Sequence, residues 1–147
     1  MTELTVIGHE FHHVGYATPS ISRAQTIFEG MGYRMEGDPF SDPLQGVSGC
    51  FMVGPGPRIE LLENLPGSRM LTPWLDAGTK AYHFAYLVDD VQATLALMRR
   101  LRAKVVVAPV PAVAFGGRHI AFVMHPNGWM SEFIERPSPA QSGSNRP

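Results

Sequence analysis

Hydrophobic and polar residues alternate with the period of a β-strand in some segments of this chain and with the period of an α-helix in others. The two kinds of segment follow one another in the same order in each half. In the first half, residues 11–17 are rich in strand formers. Ser20 can cap a helix that ends at Gly32, and strands are predicted near 46–53 and 58–62, with a Gly-Pro-Gly-Pro turn between them. The helix has apolar residues at helical spacing, namely Ile21, Ala24, Ile27 and Phe28.

The second half repeats this order. Residues 81–88 read as a strand, and Asp89 or Asp90 can cap the helix that follows. One face of this helix is predicted to contain Val91, Leu95, Met98 and Leu101. Further strands are predicted near 104–108, 119–124 and 129–135, with a Pro-Asn-Gly turn before the last. A short helix over 71–77 links the halves.

The repeat predicts one domain of the α+β class at residues 10–135, made of two modules at about 10–65 and 80–135. Residues 1–9 form an N-terminal lead. The tail 136–147 contains no large apolar residue and is predicted to be disordered.

Composition and charge narrow the classes of partner. The chain has 147 residues, 12 Lys and Arg against 13 Asp and Glu, and a formal net charge of −1. A broadly basic face is not expected, so neither nucleic acid nor an anionic membrane is the expected partner. The single cysteine, Cys50, predicts a small core residue without a disulfide. The start of the chain does not resemble a signal peptide, and the cytoplasm is the expected location.

Four residues occupy matching places in the repeat. His13 and Glu60 are 47 positions apart, and His83 and Glu132 are 49 positions apart. Each half therefore places a histidine on its first strand and a glutamate on its last. Taken singly, His13 is more often a core or surface histidine than a ligand, and each glutamate is more often a rim or salt-bridge residue. A glutamate inside an apolar strand is costly unless it is paired or binds a cation, and its repetition favours a shared site.

Two neutral imidazoles and two carboxylates suit a borderline divalent ion. Co, Ni, Mn or Zn is therefore the expected cofactor. Two positions of an octahedron would remain for substrate oxygens. The expected partner is a small-molecule substrate that offers two neighbouring oxygens.

Several stretches resemble the vicinal oxygen chelate superfamily, which includes glyoxalase I, methylmalonyl-CoA epimerase, bleomycin-resistance proteins and extradiol dioxygenases. The epimerase branch is the most similar. The resemblance covers roughly residues 10–135. The similar stretches are residues 11–17, 45–47, 59–63, 82–90, 116–118, 125–126 and 132–135.

The resemblance implies two βαβββ modules whose mixed sheet curls around a metal-binding cleft. It assigns the ligand role to His13 rather than His12, and also to Glu60, His83 and Glu132. A homodimer is expected from the same resemblance.

Three departures weaken the inference of methylmalonyl-CoA as substrate. Tyr82-His83 stands where epimerases usually have a His-His pair. The loop after His125-Pro126 is shorter and lacks a lysine. Gly49 matches a position at which some epimerases have a glutamate.

We therefore expect a metal-dependent isomerase, epimerase or glyoxalase-type lyase that moves a proton next to a carbonyl, with an acyl thioester or 2-oxo compound as substrate. Glu132 or Glu60 is the expected base. The alternatives are a small-molecule-binding protein of the bleomycin-resistance type and a non-haem iron dioxygenase. Gly116-Gly117-Arg118 is predicted to form a hairpin turn or, alternatively, to contact a phosphate or carboxylate.

Overall fold

The computed structural model describes residues 9–137. The predicted lead up to residue 8 and the predicted disordered tail from residue 138 lie outside the described residues. The described chain forms two compact units. One unit is His13–Tyr82, and the other joins the residues up to His12 to those from His83 onward.

The unit His13–Tyr82 contains the first module. Its four strands lie in the order β2-β3-β4-β1, in which β1 and β4 are parallel and the other neighbours are antiparallel. A parallel pair needs a long crossover connection, and α1 with the β2-β3 hairpin provides it. The elements are β1 (Glu10–Ala17), α1 (Ile21–Gly30), β2 (Arg34–Asp42), β3 (Val47–Val53), β4 (Ile59–Asn64) and the linking α2 (Thr72–Ala77).

The other unit repeats the plan. Its strands lie in the order β5-β8-β7-β6, with β5 and β8 parallel. The prediction of two βαβββ modules in an α+β fold is confirmed. The elements are β5 (Ala81–Val88), α3 (Val91–Arg100), β6 (Lys104–Pro111), a 3-10 turn (Val113–Phe115), β7 (His119–Met124) and β8 (Met130–Glu135).

Both helices begin at the predicted caps. The Ser20 hydroxyl accepts a hydrogen bond from the Arg23 amide at 3.3 Å, and the Asp90 carboxylate accepts one from the Ala93 amide at 2.9 Å. Each bond satisfies one of the amides that a helix start leaves without an intrahelical partner. Of the two aspartates considered from the sequence, Asp90 is the cap.

Two of the apolar residues that recur at helical spacing are exposed in the structure. Ile27 of α1 is 64% exposed, because α1 rests on the sheet through a narrow face centred on the buried Ala24. Leu101 is 43% exposed, because α3 ends at Arg100 and the chain turns there. Among residues 9–137, no helix has the length and apolar character needed to cross a membrane.

The central strands are buried on both faces, which explains their near-continuous apolar sequences. In the first module, one face packs under α1 and the other packs near α2. In the second module, the sheet face under α3 forms an apolar cluster made of Val88, Val91, Leu95, Leu97, Met98, Ala103, Ala121, Val123 and Phe133.

The sequence reading assigned no strand to residues 34–42, where the structure has β2. This segment contains Gly37 and Pro39, which are poor strand formers. Within its unit β2 pairs only with β3, and the register shifts between Glu36 and Phe40, where Gly37 adopts φ +69°. An edge strand with a bulge tolerates both residues, since only one side of its backbone must be paired.

The close packing of Gly49 in β3 yields a testable prediction. A Cβ atom at this position would lie 2.6 Å from the Phe40 ring and 2.9 Å from the Leu61 carbonyl oxygen. We expect Gly49→Ala to lower the free energy of unfolding by about 1–3 kcal/mol, the usual range for overpacking. Urea denaturation followed by circular dichroism measures it. Gly30→Ala is the control, since nothing lies within 4 Å of its Cβ; equal stability of the two variants would contradict this packing.

The buried Cys50 thiol yields a second prediction. Burial, with a smaller contribution from the Glu60 charge, raises the pKa of this thiol to about 11. Because only the thiolate is nucleophilic, the folded protein should react with Ellman's reagent at pH 8 no faster than it unfolds, and rapidly in denaturant. Fast stoichiometric labelling of the native protein would show that this environment is wrong.

Candidate metal centre

The first module brings His13 and Glu60 into direct contact. His13 Nε2 lies 3.0 Å from Glu60 Oε1, and both residues are buried, His13 completely. The β1–β4 register sets this approach, because the partner of Glu60 is Gly15, two residues beyond His13 on the same face. Gly15 has no side chain, which leaves space for the carboxylate beside the imidazole.

The second module repeats the geometry. His83 Nε2 lies 3.2 Å from Glu132 Oε1, and both residues are again buried. Here the register partner of Glu132 is Ala85, two residues beyond His83. Two strand pairs of the same topology therefore produce the same pair of donor groups with a small residue at the same place.

Each imidazole also packs against a phenyl ring. Phe51 meets His13 edge-on with ring centroids 5.3 Å apart, and Phe122 meets His83 in the same way at 5.0 Å. Phe51 is the register partner of Glu60, and Phe122 is that of Glu132. The sequence reading missed both rings. Their repetition at 9 and 10 positions before the two glutamates was the signal that would have found them.

The electrostatics of the pairs favour a cation. Glu60 and Glu132 are 5% and 4% exposed, so that an ionised carboxylate at either position has lost nearly all of its hydration. Each pair offers one imidazole nitrogen and one carboxylate oxygen, which is a donor set that suits borderline divalent ions. The four side chains are of the kind that could hold a metal ion, and each offers one ligand atom. The residues therefore fit the expected cofactor.

The neighbouring His12 has different surroundings. Its ring packs edge-on against Phe115 at 5.5 Å. Because successive residues of a strand point to opposite faces, His12 and His13 cannot both lie beside Glu60. Of the two histidines, His13, to which the resemblance assigns the ligand role, is the one that contacts Glu60.

The other histidines have local contacts. His119 pairs with Glu135 at the surface, and His125 shares a 2.8 Å hydrogen bond with Ser131. His9 lies against Phe133, and burial lowers the pKa of His9 and of His125. These contacts are structural.

The Gly116-Gly117-Arg118 motif forms a turn, which was one of its two interpretations. Both glycines have positive φ values. The buried Arg118 donates hydrogen bonds to the backbone oxygens of Phe115 and Glu135, at 3.0 and 2.6 Å. Through these two hydrogen bonds, the Arg118 guanidinium connects the turn to β8.

Gly49 lies on the same face of β3 as Phe51. Its lack of a side chain leaves a space that the Phe40 ring fills. This position therefore has no carboxylate, and no larger residue fits there without displacing Phe40 or the β4 backbone. Position 49 therefore cannot supply a catalytic base, and a base on this face of the sheet would have to be another residue.

Comparison with known proteins agrees with this fold. The family model of the Glyoxalase/Bleomycin resistance protein/Dioxygenase superfamily matches residues 12–122. An ethylmalonyl-CoA/methylmalonyl-CoA epimerase of Cereibacter sphaeroides is 25% identical over 126 residues, which cover 84% of this chain and 93% of that protein.

Solved structures share the fold. Hypothetical protein BH1468 of Bacillus halodurans superposes with a TM-score of 0.75 at 25% identity, over 89% of this chain and 96% of that one. A methylmalonyl-CoA epimerase of Mycobacterium tuberculosis gives 0.73 at 20% identity, over 95% and 94% of the two chains. With the family model spanning most of the described residues, the chain belongs to the glyoxalase/bleomycin resistance protein/dioxygenase superfamily, also called the vicinal oxygen chelate superfamily.

Proposed function

We propose that His13, Glu60, His83 and Glu132 together hold one divalent metal ion. The observation that supports this most strongly is the double occurrence of a buried His–Glu contact, at 3.0 and 3.2 Å, on strands of matching register. Two neutral imidazoles and two carboxylates around a divalent ion sum to no net charge, which offsets the burial of both glutamates. Membership of the superfamily supports the same ligand set.

We propose further that the protein is an isomerase, epimerase or glyoxalase-type lyase. When bound, the ion would supply Lewis-acid stabilisation of negative charge on two neighbouring substrate oxygens. The buried surroundings of the glutamates exclude water, so that a proton on a carboxylate oxygen is not lost to solvent. An acyl thioester or 2-oxo compound has the acidic α-hydrogen that such a site requires.

The base in this proposal is Glu132 or Glu60. Each carboxylate is held next to an imidazole nitrogen, and Gly49 offers no competing carboxylate on the neighbouring strand. One glutamate accepts the α-proton through an oxygen and returns it to the same carbon or a neighbouring one. Return to a neighbouring atom gives isomerisation, whereas epimerisation requires the other glutamate to deliver a proton to the opposite face of the same carbon.

Two other functions of the superfamily are less well supported. A bleomycin-resistance-type binding protein has no need of two buried His–Glu pairs. A non-haem iron dioxygenase generally uses two histidines and one carboxylate, which leaves open positions for oxygen. A homodimer, the assembly that the resemblance implies, stays a prediction.

The metal proposal predicts that the chelator-treated protein takes up about one divalent ion per chain. Calorimetric titration with Co, Ni, Mn and Zn measures this, and the melting temperature should rise with metal because the ion binds only the folded state. We expect a His13→Ala, His83→Ala double variant to lose the binding. His119→Ala, at a half-exposed histidine, is the control and should retain it. Unchanged uptake in the double variant would refute the ligand assignment.

The proton-transfer proposal predicts solvent deuterium at the substrate α-position. With metal-loaded protein, the exchange is followed by NMR over a panel of acyl thioesters and 2-oxo acids. We expect Glu132→Gln or Glu60→Gln to slow the exchange at least ~100-fold, the low end of what a general base contributes. Glu135→Gln is the control, three residues along the same strand and partly exposed.

Two outcomes would count against this reaction. Full exchange in both glutamine variants would show that neither glutamate is the base. No exchange with any substrate, together with tight binding of an unreacted drug-like molecule, would favour the binding protein.

A further inference from the structure

The end of α3 has a dense group of positive charges, which we name the α3 basic cluster. All of its side chains are exposed, and the segment 91–104 contains no aspartate or glutamate. Within residues 9–137, no side-chain hydrogen bond or ion pair involves any of them. Its members are Arg99, Arg100, Arg102 and Lys104.

The repeat provides an internal reference for this cluster. An offset of 70 positions relates His13 to His83, and the same offset relates the cap Ser20 to the cap Asp90. The counterparts of the cluster, at the end of α1, are Glu29, Gly30, Gly32 and Arg34. The two ends have the same backbone role, but one sums to no net charge and the other to four positive charges.

Arg102 is the most informative member. Its backbone is left-handed, with φ +66°, and its counterpart Gly32 has φ +98°. The first module thus uses the residue that favours this conformation, whereas the second uses an arginine, which is strained there. The helix dipole accounts for Arg99 and Arg100 in the last turn, but not for a strained arginine beyond it. The backbone geometry of the helix end therefore does not by itself account for an arginine at this position.

The cluster lies at the same end of the module's sheet as His83. Lys104 is the register partner of Met124 on β7, and Met124 is that of Met130 on β8. Met130 in turn pairs with His83 on β5. Lys104 and His83 are therefore three strand spacings apart across the sheet, which corresponds to about 14 Å.

We propose that the α3 basic cluster binds a compact anion with adjacent phosphate groups, such as pyrophosphate or the diphosphate of a nucleotide. Guanidinium groups match phosphate oxygens in pairs, and three of the four members are arginines. A long polyanion is not favoured, because the whole chain has a net charge of −1 and the positive charge is confined to one helix end. This site does not depend on the proposed metal ion or reaction.

Arg102→Gly tests the proposal because it removes the charge and the strain together. We expect it to weaken pyrophosphate binding at least ~10-fold in calorimetric titration. The same variant should raise the melting temperature by about 2–5 °C, since glycine adopts the left-handed backbone without strain. Loss of binding in a protein that has become more stable cannot be ascribed to misfolding. Arg100→Gln should weaken binding similarly without the rise in melting temperature.

Two control variants separate this site from other sources of binding. Arg34→Gln removes the charge at the counterpart of Lys104 and should leave pyrophosphate affinity unchanged. The His13→Ala, His83→Ala double variant should also bind pyrophosphate as the native chain does, because the metal ligands take no part. If a diphosphate-bearing acyl thioester competes with pyrophosphate for binding, the phosphates belong to a substrate tail. If it does not compete, the ligand is a separate nucleotide or an inorganic phosphate.

Equal weakening in Arg34→Gln would indicate general charge screening and would overturn the proposal. Unchanged affinity in both Arg102→Gly and Arg100→Gln would do the same. Association with anionic lipid vesicles without saturable pyrophosphate binding would replace the proposed phosphate ligand with a membrane surface.

Discussion

A carboxylate inside an apolar sheet needs a hydrogen-bonding or cationic partner, and this chain places an imidazole beside such a carboxylate twice. Glu60 and Glu132 lie in strands whose neighbouring positions are buried on both faces. An unpaired buried charge destabilises a fold by several kcal/mol, so that the position of each histidine is tightly constrained. The histidine reaches its glutamate only because the first and last strands of a module are parallel neighbours in one register.

That strand pairing explains several other features of each module. A parallel pair cannot be joined by a short turn, and hence the helix and the two-stranded hairpin lie between the histidine and the glutamate along the chain. The position opposite the glutamate must be small, and it is Gly15 in one module and Ala85 in the other. The phenyl ring opposite it on the next strand then restricts the imidazole from the side.

The modules agree at the donor residues and differ at their margins. In the first, Glu63 accepts a hydrogen bond from the Ile21 amide and so helps to cap α1. Its counterpart Glu135, also three residues beyond the module's glutamate, instead accepts one from the His119 amide. The ends of α1 and α3 differ in charge as well. A requirement of the duplicated fold should act on both modules. Residues that are the same in both modules are therefore the ones the fold needs, and residues that differ are open to a separate use in each half.

The sequence by itself determined the helices, their caps and the duplicated plan, because these depend on local signals: periodicity, a polar cap and a glycine. It also singled out the four donor residues, since a glutamate in an apolar strand is conspicuous when it recurs. It did not determine β2, whose Gly37 and Pro39 are acceptable only at a bulged edge, or the exposure of Ile27, which depends on how α1 rests on the sheet. Only the tertiary structure decided that Phe51 and Phe122 contact the imidazoles, and how closely His13 and His83 approach their glutamates. Those contacts depend on strand register between segments about 40–50 positions apart, and register is set by the packing of the whole module rather than by any local run of residues.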